Sequence, residues 1–107
     1  MELYEQKCVP CEGGTPPMPE DEARQHISEL NNWTLEDNKI EKSFKFSDFV
    51  EAMKFVNSVA DIAESEGHHP DIHISYNKVK IVLWTHAVGG LSINDFIVAA
   101  KIDKIKE

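Results

Sequence analysis

Hydrophobic positions change their period several times along this chain of 107 residues, and each change predicts an element. The stretch "EDEARQHISEL" (20–30) opens with acidic residues and carries Ala23, Ile27 and Leu30 at helical spacing. "NN" follows as a stop, so the pattern predicts a first helix. In "WTLEDNKIEKSFKF" (33–46) the period falls toward two. Trp33 and Leu35 alternate with polar residues before an "EDN" turn, and Ile40 and Phe44 follow it, which predicts two short strands. The helical period returns in "SDFVEAMKFVNSVADIAESEG" (47–67), with Ser47 as the candidate cap. At about 100° per residue, Phe49, Met53, Val56, Ala60 and Ala63 form one stripe, and Ala52, Phe55, Val59 and Ile62 form another beside it. The combined arc is roughly half the circumference, wider than a plain surface helix needs. One part can cover a sheet; the rest calls for another helix or another subunit. Gly67 is a natural stop, because glycine enters the left-handed region at little cost.

Alternation resumes in "DIHISY" (71–76), where Ile72, Ile74 and Tyr76 share a face, and in "KVKIVLWTH" (78–86), where Val79, Ile81 and Leu83 do the same. The intervening "YNK" predicts a tight antiparallel hairpin with Asn77 at the turn. "AVGGL" reads as a loop. "SINDFIVAAKIDKIK" (92–106) reads as the last helix, with Ile93, Phe96, Ile97 and Ala100 on one side and lysines in its final turns. The order α-β-β-α-β-β-α predicts an α+β fold: a four-stranded antiparallel sheet with three helices packed on one face. Upstream, "CEGGTPPMP" (11–19) is too rich in glycine and proline for a helix or a central strand. Residues 1–19 are therefore expected to form an irregular leader and residues 20–107 a single domain.

Composition narrows the function. A net charge of -8 argues against a nucleic-acid partner and against an anionic membrane surface, since both need basic protein surface. No apolar run approaches the ~18 residues of a membrane span, and "MELYEQKCVP" lacks the basic start and apolar run of a signal peptide. A cytoplasmic location is expected. Cys8 and Cys11 form one "CVPC", a candidate zinc half-site or redox pair without the surrounding pattern that either requires. It is read as a reduced pair of minor structural weight.

The chemistry concentrates in "ESEGHHPD" (64–71). His68 and His69 stand between a helix-stopping glycine and Pro70, which biases the residue before it toward extended backbone. His86 ends the strand that pairs with the one starting at Asp71, so the hairpin should bring all three imidazoles to one end of the sheet. Histidine titrates near pH ~6.5, so such a cluster can hold one ring protonated and another neutral, as paired general acid and base catalysis requires. Two carboxylates belong nearby. Glu64 lies one turn before Gly67. Asp95 stands three residues after Ser92 in a capping box, where it can cap the last helix and also orient a histidine. His26 and His73 lack such context and read as structural.

Glu64, His68-His69-Pro70, Tyr76, "YNKV", "L.TH" ending at His86, a glycine before "LS", and Asp95 in "DF" together resemble the pterin-4a-carbinolamine dehydratases. The likeness runs from about Trp33 to Ile102 and more weakly through the first helix. The "KCVPCEGG" leader also looks like that of bacterial members. Ile72 stands where some members carry a tryptophan. The resemblance implies dehydration of 4a-hydroxytetrahydropterin to quinonoid dihydropterin, with no metal and no redox cofactor, by an oligomer built through helix packing. It implies catalysis by His68 and His86 as proton donors and acceptors. His69 would hold the pterin and relay protons, and Glu64 and Asp95 would orient the rings. Gly67, His68, His69, Pro70, Trp84, Thr85, His86 and Ala87 would line the substrate pocket. Two rival readings stay open. Three histidines and a carboxylate could bind zinc, although adjacent side chains diverge and make awkward ligands. The chain could also be a non-catalytic dimerisation or assembly cofactor of the same fold.

Overall fold

The computed structural model describes residues 3–8 and 16–106. The predicted helices and strands all form: α1 (Glu20–Ile27), β1 (Thr34–Glu36), β2 (Lys39–Lys45), α2 (Phe49–Glu66), β3 (Asp71–Ser75), β4 (Lys78–Leu83) and α3 (Ile93–Lys106). Single 3-10 turns occupy Leu3–Glu5 and His86–Val88. The strands form one antiparallel sheet in the order β1-β2-β4-β3, with the three helices on one face. β4 lies between two partners. Its Val79, Ile81 and Leu83 are fully buried toward the helices, while Lys78 and Lys80 point to the exposed face. That alternation fixes the register, since a slip of one residue would drive lysines into the core. Phe55 carries α2 onto the sheet, with ring centroids 4.6 Å from Phe44 and 5.0 Å from Phe46. Truncating a side chain as buried as Ile81 to alanine should cost roughly 2–5 kcal/mol.

Local chemistry explains the boundaries. Asp37 and Asn38 both take positive φ, at 51° and 60°, which suits the two-residue turn joining β1 and β2. Gly67 adopts φ 65° and ends α2, and its amide and that of His68 both donate to the Ala63 carbonyl.

Several local expectations need correction. The cap of α2 is Asp48, not Ser47: its Oδ1 accepts the Glu51 amide at 2.9 Å, and its extended backbone delivers the chain to the first turn. α1 stops at Ile27 rather than Leu30, because Glu29 and Leu30 donate back three residues and tighten the chain into turns. Tyr76 does not share the face of Ile72 and Ile74. It occupies the hairpin turn at φ 53° and is 64% exposed. α3 is not apolar on one side alone. Residues 94 through 99 are all buried, because α2, the sheet and the leader turn at Leu3–Glu5 surround the helix. The leader also meets the loop after His86. Met18 donates to the Leu91 carbonyl at 2.8 Å, and a Cβ on Gly90 would sit 2.7 Å from that of Pro17. A glycine is needed there by the close approach of Pro17. Cys11 and the glycine pair of "CEGG" lie outside the described residues.

Candidate active site

The end of α2, the start of β3 and the segment after β4 enclose a cleft of about 650 Å³. That is within the range of small-molecule sites. His68 and His69 line it with Gly67 and Pro70, and His86 lines it with Trp84, Thr85 and Ala87. The pairing of β3 with β4 produces this convergence. Asp71 stands opposite Val82, so the residues just before β3 and just after β4 emerge at the same edge.

Each member of the histidine pair meets a different carboxylate. His68 Nε2 lies 2.6 Å from Asp95 Oδ1, and the Asp95 side chain is fully buried. The other oxygen, Oδ2, accepts the Thr85 hydroxyl at 2.9 Å and the Ser92 amide at 3.0 Å. Thr85 in turn shares a hydrogen bond of 2.8 Å with the Ser92 hydroxyl. Asp95 thus makes one half of a capping box, accepting the Ser92 amide while the Ser92 hydroxyl turns to Thr85, and holds an imidazole with the same group. Two donors on Oδ2 make Asp95 an acceptor toward His68. The imidazole is therefore assigned its proton on Nε2, leaving Nδ1 as the nitrogen available for proton transfer. His69 Nε2 meets Glu64 Oε2 at 2.5 Å, but at the surface: the two side chains are 61% and 78% exposed. Neither carboxylate lines the cleft. Asp95 lies behind His68, and Glu64 sits outside beside His69.

His86 is held by its neighbour. The rings of Trp84 and His86 lie 3.8 Å apart between centroids and are tilted by 34°. Lys39 Nζ stands 5.0 Å from the Trp84 centroid, within cation–π range. The histidines set aside as structural lie elsewhere. His73 is exposed on β3, and His26 is half-buried beside Phe96, with ring centroids 5.3 Å apart. Among the described residues, no group of three or more His, Cys, Asp or Glu side chains is arranged to hold a metal ion.

Four lining residues were not foreseen: Cys8, Glu66, Asp71 and Asn94. Cys8 donates its backbone amide to Glu66 Oε1 at 2.8 Å, and its Sγ lies 3.7 Å from the Asn94 carbonyl. Burial, reinforced by the Glu66 charge, pushes the Cys8 thiol up to about 12, so it stays neutral. The same backbone hydrogen bond, with Lys101 nearby, holds the Glu66 carboxyl below its ordinary range. A signal for Glu66 did exist in the sequence. Glutamates crowd the last turn of α2, where the helix dipole favours cations and no basic residue is present. Such a breach of a local rule often marks a working group. No comparable signal flagged Cys8.

Fold and cleft together describe an α+β protein with a histidine-lined small-molecule site at one end of its sheet. Residues 16–105 match the family model for pterin 4 alpha carbinolamine dehydratase. A relative from Alkaliphilus metalliredigens is 49% identical over 104 residues, covering 95% of this chain and 94% of its own. One from Nitrosomonas eutropha is 46% identical over 105 residues, covering 97% and 93%. Both carry the name "Putative pterin-4-alpha-carbinolamine dehydratase". The fold also resembles the crystal structure of a transcriptional coactivator/pterin dehydratase from Brucella melitensis. That likeness has a TM-score of 0.82 at 33% identity, over 85% of this chain and 99% of that one. The chain belongs to the pterin-4-alpha-carbinolamine dehydratase family. Among the described residues, no helix is long and apolar enough to cross a membrane.

Proposed function

We propose that this protein is a 4a-hydroxytetrahydropterin dehydratase that releases water by histidine acid/base catalysis. The observation that carries the reading is the shared cleft of His68, His69 and His86, with His68 braced by the buried Asp95. The reaction needs little beyond proton transfer. The C4a–O bond breaks as the leaving oxygen takes a proton from one imidazole and departs as water. N5 gives its proton to another imidazole, and its electron pair forms the N5=C4a double bond of quinonoid dihydropterin. His68 and His86 act as this donor and acceptor pair, and His69 holds the pterin and passes protons to solvent. Asp95 and Glu64 act through the rings they orient, as positioning residues. Such proton transfers are typically worth about 10²–10⁴-fold each.

The reading includes no metal and no redox cofactor. Treatment with a chelator should leave turnover unchanged. It also includes a homo-oligomer in the cytoplasm. Phe49 and Val50 at the start of α2 stay 48% and 61% exposed, which suits a helix face that meets another copy. Light scattering on the purified protein tests the assembly. The function is tested with chemically generated 4a-hydroxytetrahydropterin: the protein should accelerate formation of quinonoid dihydropterin, and a rate equal to the buffer blank would refute the reading.

A further inference from the structure

Two carboxylates that line the cleft have no part in that mechanism: Asp71, which is exposed, and Glu66, which is not. Glu66 ends α2, next to the glycine turn that launches His68 and His69. Its side chain is only 6% exposed. A buried carboxylate is costly unless its oxygens are satisfied, so its partners indicate what it is for. They are the leader and α3. Oε1 accepts the Cys8 amide at 2.8 Å, and Oε2 lies 3.8 Å from Lys101 Nζ. Lys101 also donates to the Tyr4 carbonyl at 2.9 Å, and Lys104 Nζ stands 4.3 Å from the Tyr4 ring centroid. Leu3 is buried against the core. Residues 3–8 are therefore tied down at both ends, and the tie nearest the histidines is Glu66.

We infer that the leader segment ending at Cys8 forms one wall of the substrate cleft, and that Glu66 is the positioning residue that holds this wall against the histidine turn. The inference rests on the dehydratase reading for the identity of the substrate, but not for the anchor itself. Cys8 brings to the wall a small, neutral, half-buried side chain beside the buried Asn94. A neutral wall suits the face of an uncharged bicyclic ring.

The test compares full-length Glu66→Ala with Glu66→Gln, with Cys11 replaced by serine so that a single thiol reports. The glutamine oxygen can still accept the Cys8 amide; alanine cannot. Two quantities are read: Cys8 alkylation by iodoacetamide at neutral pH, and KM and kcat for 4a-hydroxytetrahydropterin. Loss of the hydrogen bond should raise KM about 10-fold over the parent and speed alkylation about 10-fold over Glu66→Gln in Glu66→Ala, with kcat within about threefold of the parent. Glu66→Gln removes the charge that raises the Cys8 thiol pKa but keeps the acceptor, so it should hold KM near the parent and set the alkylation rate that loss of charge alone produces. Alkylation of Glu66→Ala no faster than that of Glu66→Gln would overturn the anchor, and faster alkylation with unchanged KM would overturn the wall. Cys8→Leu keeps the backbone amide and adds bulk, so it should raise KM even if Glu66→Ala fails to fold; an unaltered KM there also overturns the wall. If the parent protein shows no turnover, the dehydratase reading fails by itself, and the alkylation rates still decide the anchor.

Discussion

His68 and His69 are neighbours in sequence, and each meets a carboxylate at nearly the same distance, 2.6 Å and 2.5 Å. Their surroundings differ completely. The His68 ring is 12% exposed and its Asp95 partner is fully buried, whereas His69 and Glu64 are 61% and 78% exposed. Water screens the outer pair, and side-chain entropy opposes it, so it is worth at most about 1 kcal/mol. The inner pair sits in a low dielectric, and two hydrogen bonds from Thr85 and Ser92, which are themselves bonded to each other, fix the carboxylate. Equal hydrogen-bond lengths therefore do not mean equal roles. The inner pair is built to hold one ring in one tautomer. The outer pair is adjustable, which suits the role proposed for His69 in holding substrate and exchanging protons with solvent.

The largest expected effect comes from breaking the inner pair at the ring. His68→Ala should lower kcat by about 10²–10⁴-fold, the usual worth of a positioned acid or base. Stopped-flow formation of quinonoid dihydropterin measures it. Asp95→Asn comes next. Its amide must turn an NH₂ either toward Thr85 and Ser92 or toward His68, and the second choice forces the imidazole into the other tautomer. A kcat loss of about 10²-fold is expected, with KM nearly unchanged. Asp95→Ala also strands the Ser92 amide and leaves the Thr85 hydroxyl only its Ser92 partner, and should cost roughly 2–4 kcal/mol in denaturant unfolding. Glu64→Gln, at the outer pair, should change kcat less than about fivefold and stability by less than about 1 kcal/mol. A loss as large as that of Asp95→Asn would erase the contrast between the pairs.

The smallest effect is one of pH. The Glu66 carboxyl is held below the ordinary 4.5, so its folded form ionises before the unfolded chain does as pH rises. Its contribution to stability is complete above pH 4.5 and fades as pH falls through the lower folded value. The difference in Tm between the parent and Glu66→Gln should accordingly shrink on acidification below pH 4.5, as thermal melts across that range would show.

Much of this was legible in the sequence because it obeys local periods. The stripe of Ala52, Phe55 and Val59 buries against the sheet, and Val79, Ile81 and Leu83 fill the core face of β4. Gly67 stops α2 in the left-handed region, and Asp95 of "SIND" accepts the Ser92 amide as one half of a capping box. The convergence of His86 with His68 and His69 followed from hairpin register alone. What escaped has no period. Tyr76 looked like a strand residue because alternation continued through it, yet the turn needed a residue there at positive φ. The all-round burial of α3 depends on the leader turn, whose docking is a tertiary event that leaves no repeat in "LYE". Cys8 escaped for the same reason. A cysteine with no periodic neighbours carries no address, and its contacts with Glu66 and Asn94 give it one.

The contrast between the two histidines is most directly tested by measuring kcat and KM for His68→Ala and His69→Ala side by side on 4a-hydroxytetrahydropterin. The account expects His68→Ala to lose kcat by about 10²-fold or more, and His69→Ala chiefly to raise KM while keeping kcat within about tenfold of the parent. A His69→Ala enzyme that loses at least as much kcat as His68→Ala, with KM untouched, would contradict it.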